Sequence, residues 1–133
     1  MKTLTLLSLG VLMALPPVPV KDMVERAEVV ARVDMKAFER VGGTEAEQHW
    51  RTTLVPLTVY KGKLTGPMEI SIRVFPDVDG GEFTRTPDAG ERVAFLRKSG
   101  EGWTLVEPRT QALRKATPEL LGALGTSDAG PKP

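Results

Sequence analysis

A chain of 133 residues with 18 basic and 17 acidic side chains, no cysteine and a single histidine has room for one modest domain. Its charge balance excludes a partner held mainly by counterion release, such as DNA or RNA, and the missing thiols exclude a disulfide framework or a lipid anchored on cysteine. Asparagine is also absent and Gln48 and Gln111 are the only side-chain amides, a depletion that fits either heat adaptation or a GC-rich genome.

Residues 1–20 read as a secretory signal peptide. Met1-Lys2 supplies the basic start, and 3–14 are uncharged and dominated by Leu4, Leu6, Leu7, Leu9, Val11, Leu12 and Met13. That is the layout of an exported leader, and it falls short of the roughly 20 apolar residues of a spanning helix. Pro16, Pro17 and Pro19 stop any helix, because proline lacks the amide hydrogen and its ring clashes with the preceding turn. Two cleavage points are open, after Leu12-Met13-Ala14 or after the poorer Val18-Pro19-Val20. Neither forms an A-x-A pattern, and an uncleaved anchor is the third alternative. Cleavage leaves a domain with no stable membrane insertion, in the periplasm or outside the cell. Subtracting Lys2 then leaves 17 acidic and 17 basic residues.

Residues 21–116 are expected to form the domain proper. Asp22-Met23-Val24-Glu25 has the layout of a helix start, with Asp22 as cap and Glu25 reaching back, for a turn or two. Periodicity then switches to two. Val29, Ala31, Val33, Met35 and Ala37 alternate with Arg32, Asp34 and Lys36, as in a half-buried strand, which Gly42-Gly43 closes. The acidic stretch 44–48 reads as a solvated loop. A second strand over 50–60 places Thr53, Val55, Leu57 and Val59 on one face and Trp50, Leu54, Pro56 and Tyr60 on the other. Both faces are apolar, so both are expected to be covered. Pro56 cannot donate to a ladder and predicts a bulge or an edge.

After a turn over 61–67, Met68, Ile70, Ile72 and Val74 alternate with Glu69, Ser71 and Arg73, giving the cleanest strand. Residues 76–90 read as a long connection with a short strand at 82–84. A fourth strand over 92–98 turns through Ser99-Gly100-Glu101-Gly102 into a fifth over 103–107, with an extended piece at 110–113. Thr117-Pro118-Glu119 opens a short helix over 117–125, with a hydroxyl cap, proline in the first turn and an acid at the positive dipole end. Residues 126–133 are expected to be a disordered tail.

Five main strands with a long connection after the third predict an all-β fold with minor α, a small five-stranded OB-like barrel. A sandwich usually needs about seven strands. The chain resembles short exported bacterial proteins whose domain looks like the OB-type barrel of tissue-inhibitor-of-metalloproteinase and netrin-like modules. The resemblance covers 27–113. It rests on Ala27-Glu28-Val29-Val30-Ala31-Arg32-Val33, on Val59-Tyr60-Lys61-Gly62, and on Gly90-Glu91-Arg92-Val93-Ala94-Phe95-Leu96 leading into Gly102-Trp103. The resemblance implies the fold. The inhibitors set an N-terminal cysteine on the zinc of their target, and a chain without cysteine does not carry that mechanism.

Candidate chemistries are few. Asp77, Asp79 and Glu82 space like the start of a calcium loop, but the sixth and twelfth positions hold Glu82 and Asp88 where glycine and glutamate are required; an ordinary Asp-Gly turn is expected. His49 with Glu45 and Glu47 lacks the further ligands of a zinc site, and no metal or other cofactor is expected. His49 is also the only imidazole that could serve a hydrolase, and none of the serines 71, 99 and 127 sits in a strand–turn–helix elbow. Trp50 and Tyr60 are the candidate ligand-binding residues, since aromatics on a barrel strand can stack on bases or sugars. The alternative is that Leu120, Leu121 and Leu124 fold over that face and bury it. The expected function is a non-enzymatic, exported module that binds a protein or envelope component. The other two readings are a protease inhibitor working through 76–90 and a hydrolase built on His49.

Overall fold

The computed structural model describes residues 17–78 and 82–127. Ten short elements follow one another: α1 (Val20–Arg26), β1 (Val29–Met35), β2 (Glu39–Gly43), β3 (Gln48–Lys61), β4 (Met68–Val74), β5 (Gly90–Ser99), β6 (Gly102–Leu105), a 3-10 turn (Arg109–Gln111), β7 (Leu113–Lys115) and α2 (Pro118–Ser127). The fold is mostly β with minor α. The leader stretch 1–16 lies outside the described residues, and no helix among those described is long and apolar enough to cross a membrane.

β1 is the centre of the sheet because its sequence permits burial on both sides. Val29, Val30, Ala31, Val33 and Met35 are all buried, and only Arg32 and Asp34 reach partly outward. Its two edges are occupied by β3 and β5, both antiparallel. The ladder with β3 slips between Arg32 and Val33, opposite Thr58 and Pro56, and again between Val30 and Ala31, opposite Lys61 and Val59. Leu57 and Tyr60 are therefore the extra residues of two bulges. The first sits immediately after the proline that removed a donor from the ladder, as expected.

The expected count of five strands is corrected to seven in one sheet, with β2-β3-β1-β5-β6 as its path, β4 on β3 and β7 on β5. β4 and β6 lie against each other without a ladder between them, so the sheet is not closed into a barrel. β2 covers the stretch expected to end the first strand. It is a separate edge strand in which every residue is exposed, joined to β3 by a turn in which Thr44 Oγ1 accepts the Glu47 amide.

The helices depart from expectation at their starts. α1 begins at Val20, with Pro19 ahead of it and no side-chain cap; Asp22 lies in the first turn. The Pro19 carbonyl takes the amides of Asp22 and Met23 at 3.0 and 3.1 Å. In α2, Thr117 Oγ1 accepts the Leu120 amide at 3.2 Å, the expected cap. Leu120 and Leu124 are buried, and α2 packs beside α1. Residues 126 and 127 of the expected tail belong to its last turn, and 128–133 lie outside the described residues. In place of an extended 110–113, Arg109–Gln111 coil into a 3-10 turn before β7.

The core gathers Phe95, Met23, Met35, Leu54, Ile70, Leu96 and Leu124, all fully buried. Side chains of this size each contribute about 1.5–3 kcal/mol through removal from water. β4 shows why period two suffices for a sheet: Met68, Ile70, Ile72 and Val74 are buried while Glu69, Ser71 and Arg73 are exposed.

Candidate functional site

The outer face of the β2-β3-β4 meander carries the one histidine. Successive side chains of a strand point to opposite faces, so His49 and Arg51 of β3 share a side, and Glu47, in the turn just ahead of the strand, reaches it. Across the β3–β4 ladder His49 pairs with Arg73 and Arg51 with Ser71. The Glu47 carboxylate thereby sits between two cation-capable groups. Its Oε2 is 3.2 Å from His49 Nε2 and 3.2 Å from Arg73 Nη1. His49, Arg73, Ser71, Ile72, Val41 and Arg109 line an open depression of about 250 Å³. Arg109 is itself paired with Glu107 at 3.0 Å.

Nucleophilic catalysis needs an imidazole nitrogen directed at a hydroxyl, with the opposite nitrogen held by a third group. Ser71 and His49 share the depression, and the hydrogen-bond partner of His49 among the described residues is Glu47. Its side chains form a tied, partly exposed charge cluster. Pairs in such a setting are worth about 0–1 kcal/mol each.

A neighbouring depression of about 240 Å³ is lined by Lys36, Glu39, Arg51, Thr53 and Glu69, with Thr52 at its floor. Arg51 stands between Glu39 at 3.7 Å and Glu69 at 3.9 Å. Thr52, the buried polar residue of the core, donates its hydroxyl to the Lys36 carbonyl. This second depression thus presents positive and negative groups side by side, whereas the first is lined by arginines and the imidazole.

Trp50 and Tyr60 are not brought together. Ten residues of strand, at about 3.3 Å each, separate them. Trp50 lies opposite Ile72 and Arg40, donates its indole N–H to Gln48 Oε1 at 3.0 Å, and packs half-buried against the core. Tyr60, at the second bulge, is also half-buried against the core. The expectation that both apolar sides of this strand are covered is corrected on its other side: Leu57 is 45% and Val59 37% exposed.

Of the 76–90 connection, Phe83 is buried and bridges Val74, close to the short strand expected at 82–84. The Phe75 amide donates to its carbonyl at 2.7 Å. Asp79 of the proposed calcium spacing falls outside the described residues. Among those described, no three metal-ligating side chains converge.

Arg114 has a different role. Nη2 donates to the Val18 carbonyl at 2.6 Å and Nε to the Gln111 carbonyl at 2.9 Å, with the guanidinium 5.7 Å from the centre of the Phe95 ring. Burial disfavours its charged form and lowers its pKa from the ordinary arginine value. Sequence reasoning missed Arg73, Arg109 and Arg114 as partners. Glu47 and His49 were recoverable from their two-residue spacing, whereas the arginines needed the strand register or the chain's path.

No model of a known protein family matches the chain, and a search of curated proteins finds no match.

Proposed function

We propose that this chain is an exported, non-enzymatic interaction module that binds a protein or envelope component through the outer face of β3. The observation that carries the reading is the exposed apolar pair Leu57 and Val59 on either side of Thr58, whose hydroxyl accepts from Arg32 of the Arg32–Glu91 ion pair. Apolar surface rimmed by charges of both signs suits a folded or extended protein partner, and the even charge balance disfavours a polyanion. The strand path β4-β3-β1-β5-β6, with β4 set against β6 but not paired to it, supports a partly open, OB-like barrel as the scaffold, in line with the netrin-like resemblance. The basic start and apolar run of 1–14 support export.

A photo-crosslinking amino acid placed at Leu57, with a second chain carrying it at Glu101 on the distant β5–β6 hairpin, tests this in the exporting cell. The expected result is a discrete adduct from position 57 that Val59→Asp abolishes, and none from position 101. Equal labelling from both positions, or none from either, refutes the assignment.

A further inference from the structure

The residues just ahead of α1 are gripped by the far end of the chain. The Val18 amide donates to Gln111 Oε1 at 2.5 Å, and the Val18 carbonyl accepts from Arg114 Nη2 at 2.6 Å. The backbone of one residue is thus held on both sides by side chains more than ninety residues downstream. Val18 and Val20 pack against the core, and the Pro19 carbonyl takes the amides of Asp22 and Met23 in the first turn of α1. Behind them Met23 is fully buried. Lys61 Nζ donates to the Val24 carbonyl at 2.8 Å, and Arg26 Nη1 donates to the Glu107 carbonyl at 2.9 Å. Val18 and Val20 are thus half-buried, and Val18 is bonded into the domain through both its amide and its carbonyl.

This bears on the choice between the two sequence-level cleavage points. A cut after Val20 removes the peptide that Gln111 and Arg114 hold. It also removes the carbonyl that starts α1, and it leaves the new ammonium of Lys21 at the positive end of the helix dipole, where charge of that sign is disfavoured. A cut after Ala14 leaves all of these contacts in place.

We propose that the leader is removed by hydrolysis of the Ala14–Leu15 peptide bond, and that Val18–Val20 remain as a permanent strap clamped by Gln111 and Arg114. Water supplies hydroxyl to the Ala14 carbonyl carbon and a proton to the released Leu15 amine. The proposal rests on the export reading above.

The full chain is produced with its own leader in a Gram-negative host, the cell is fractionated, and the intact mass is measured. The expected product is an exported protein beginning at Leu15, with the Ala14→Arg chain accumulating uncut. An exported protein beginning at Lys21, or an uncut chain held in the envelope, overturns the cleavage assignment while leaving export standing. A full-length chain confined to the cytoplasm overturns both, which separates the two failures. The clamp has its own readout. In the chain begun at Leu15, Gln111→Ala is expected to lower the melting temperature by about 5 °C, and to lower it measurably less in a chain begun at Lys21, where its bond to Arg114 remains, the coupling expected of residues in contact. Should the Lys21 chain fail to fold, that result supports the strap; a Lys21 chain that melts with the Leu15 chain overturns it.

Discussion

Substitution of Gly62 by alanine tests how closely β3 and β1 approach at their shared end. Gly62 has φ +78, and a Cβ there lies 2.3 Å from the Glu28 carbonyl oxygen and 2.9 Å from Val29 Cγ2. Neither neighbour is free to yield. The Glu28 amide is bonded to the Leu96 carbonyl at 2.8 Å, its carboxylate accepts the Lys98 amide, and Val29 is buried. The left-handed backbone costs an L-residue about 1–2 kcal/mol, and forcing a methyl group into a packed site adds about 1–3. Restricting the unfolded chain returns about 0.4–1. The expected loss is therefore about 2–4 kcal/mol, or about 8–16 °C at roughly 4 °C per kcal/mol. Two controls divide the effect. Gly100 also has positive φ, +62, but open space around its Cβ, so Gly100→Ala is expected to lose about 1 kcal/mol or less. Gly66 has open space and no positive φ, so Gly66→Ala is expected to gain about 0.4–1 kcal/mol. Urea unfolding followed by circular dichroism, with unchanged m-values, gives all three. If Gly62→Ala and Gly100→Ala unfold at the same urea concentration, the close approach contributes nothing and the reasoning fails.

Thr52→Val removes the buried hydroxyl that serves the Lys36 carbonyl while keeping the side-chain shape. It should cost about 1–3 kcal/mol by urea denaturation, and a neutral result would mean the carbonyl finds water. Thr117→Ala removes the cap on α2 and should cost about 0.5–2 kcal/mol. Faster amide exchange of Leu120 is its direct signature, and unchanged exchange would contradict the cap.

Legibility in the sequence followed burial. β4 was readable residue by residue because its inward positions are all apolar and its outward ones all polar. β2 was not, because nothing in Glu39–Gly43 is buried and a strand held only by its ladder leaves no hydrophobic period. Pro56 announced its bulge through a missing donor, but the second bulge, at Tyr60, has no such local cause and depends on how β1 and β3 twist together. The charge cluster was half legible. Glu47 stood out as an acid two residues before His49, while Arg73 joins them only through the β3–β4 register. Trp50 and Tyr60 drew attention as aromatics of one strand, yet strand length sets them apart. The grip on Val18 joins positions ninety-six residues apart, beyond any periodicity.

The position of β1 in the sheet also orders events in time. Val29 to Met35 leave the ribosome early, but the strand that seals their second edge pairs Val29 with Leu96 and Met35 with Gly90. Until the chain is made past Ser99, the middle of the sheet has one open flank and no Phe95 to fill it. Loops of that span must be closed before any contact rewards them, which slows the final collapse. Nascent lengths ending before β5 therefore stay loose, and a loose chain is one that a narrow pore can still thread.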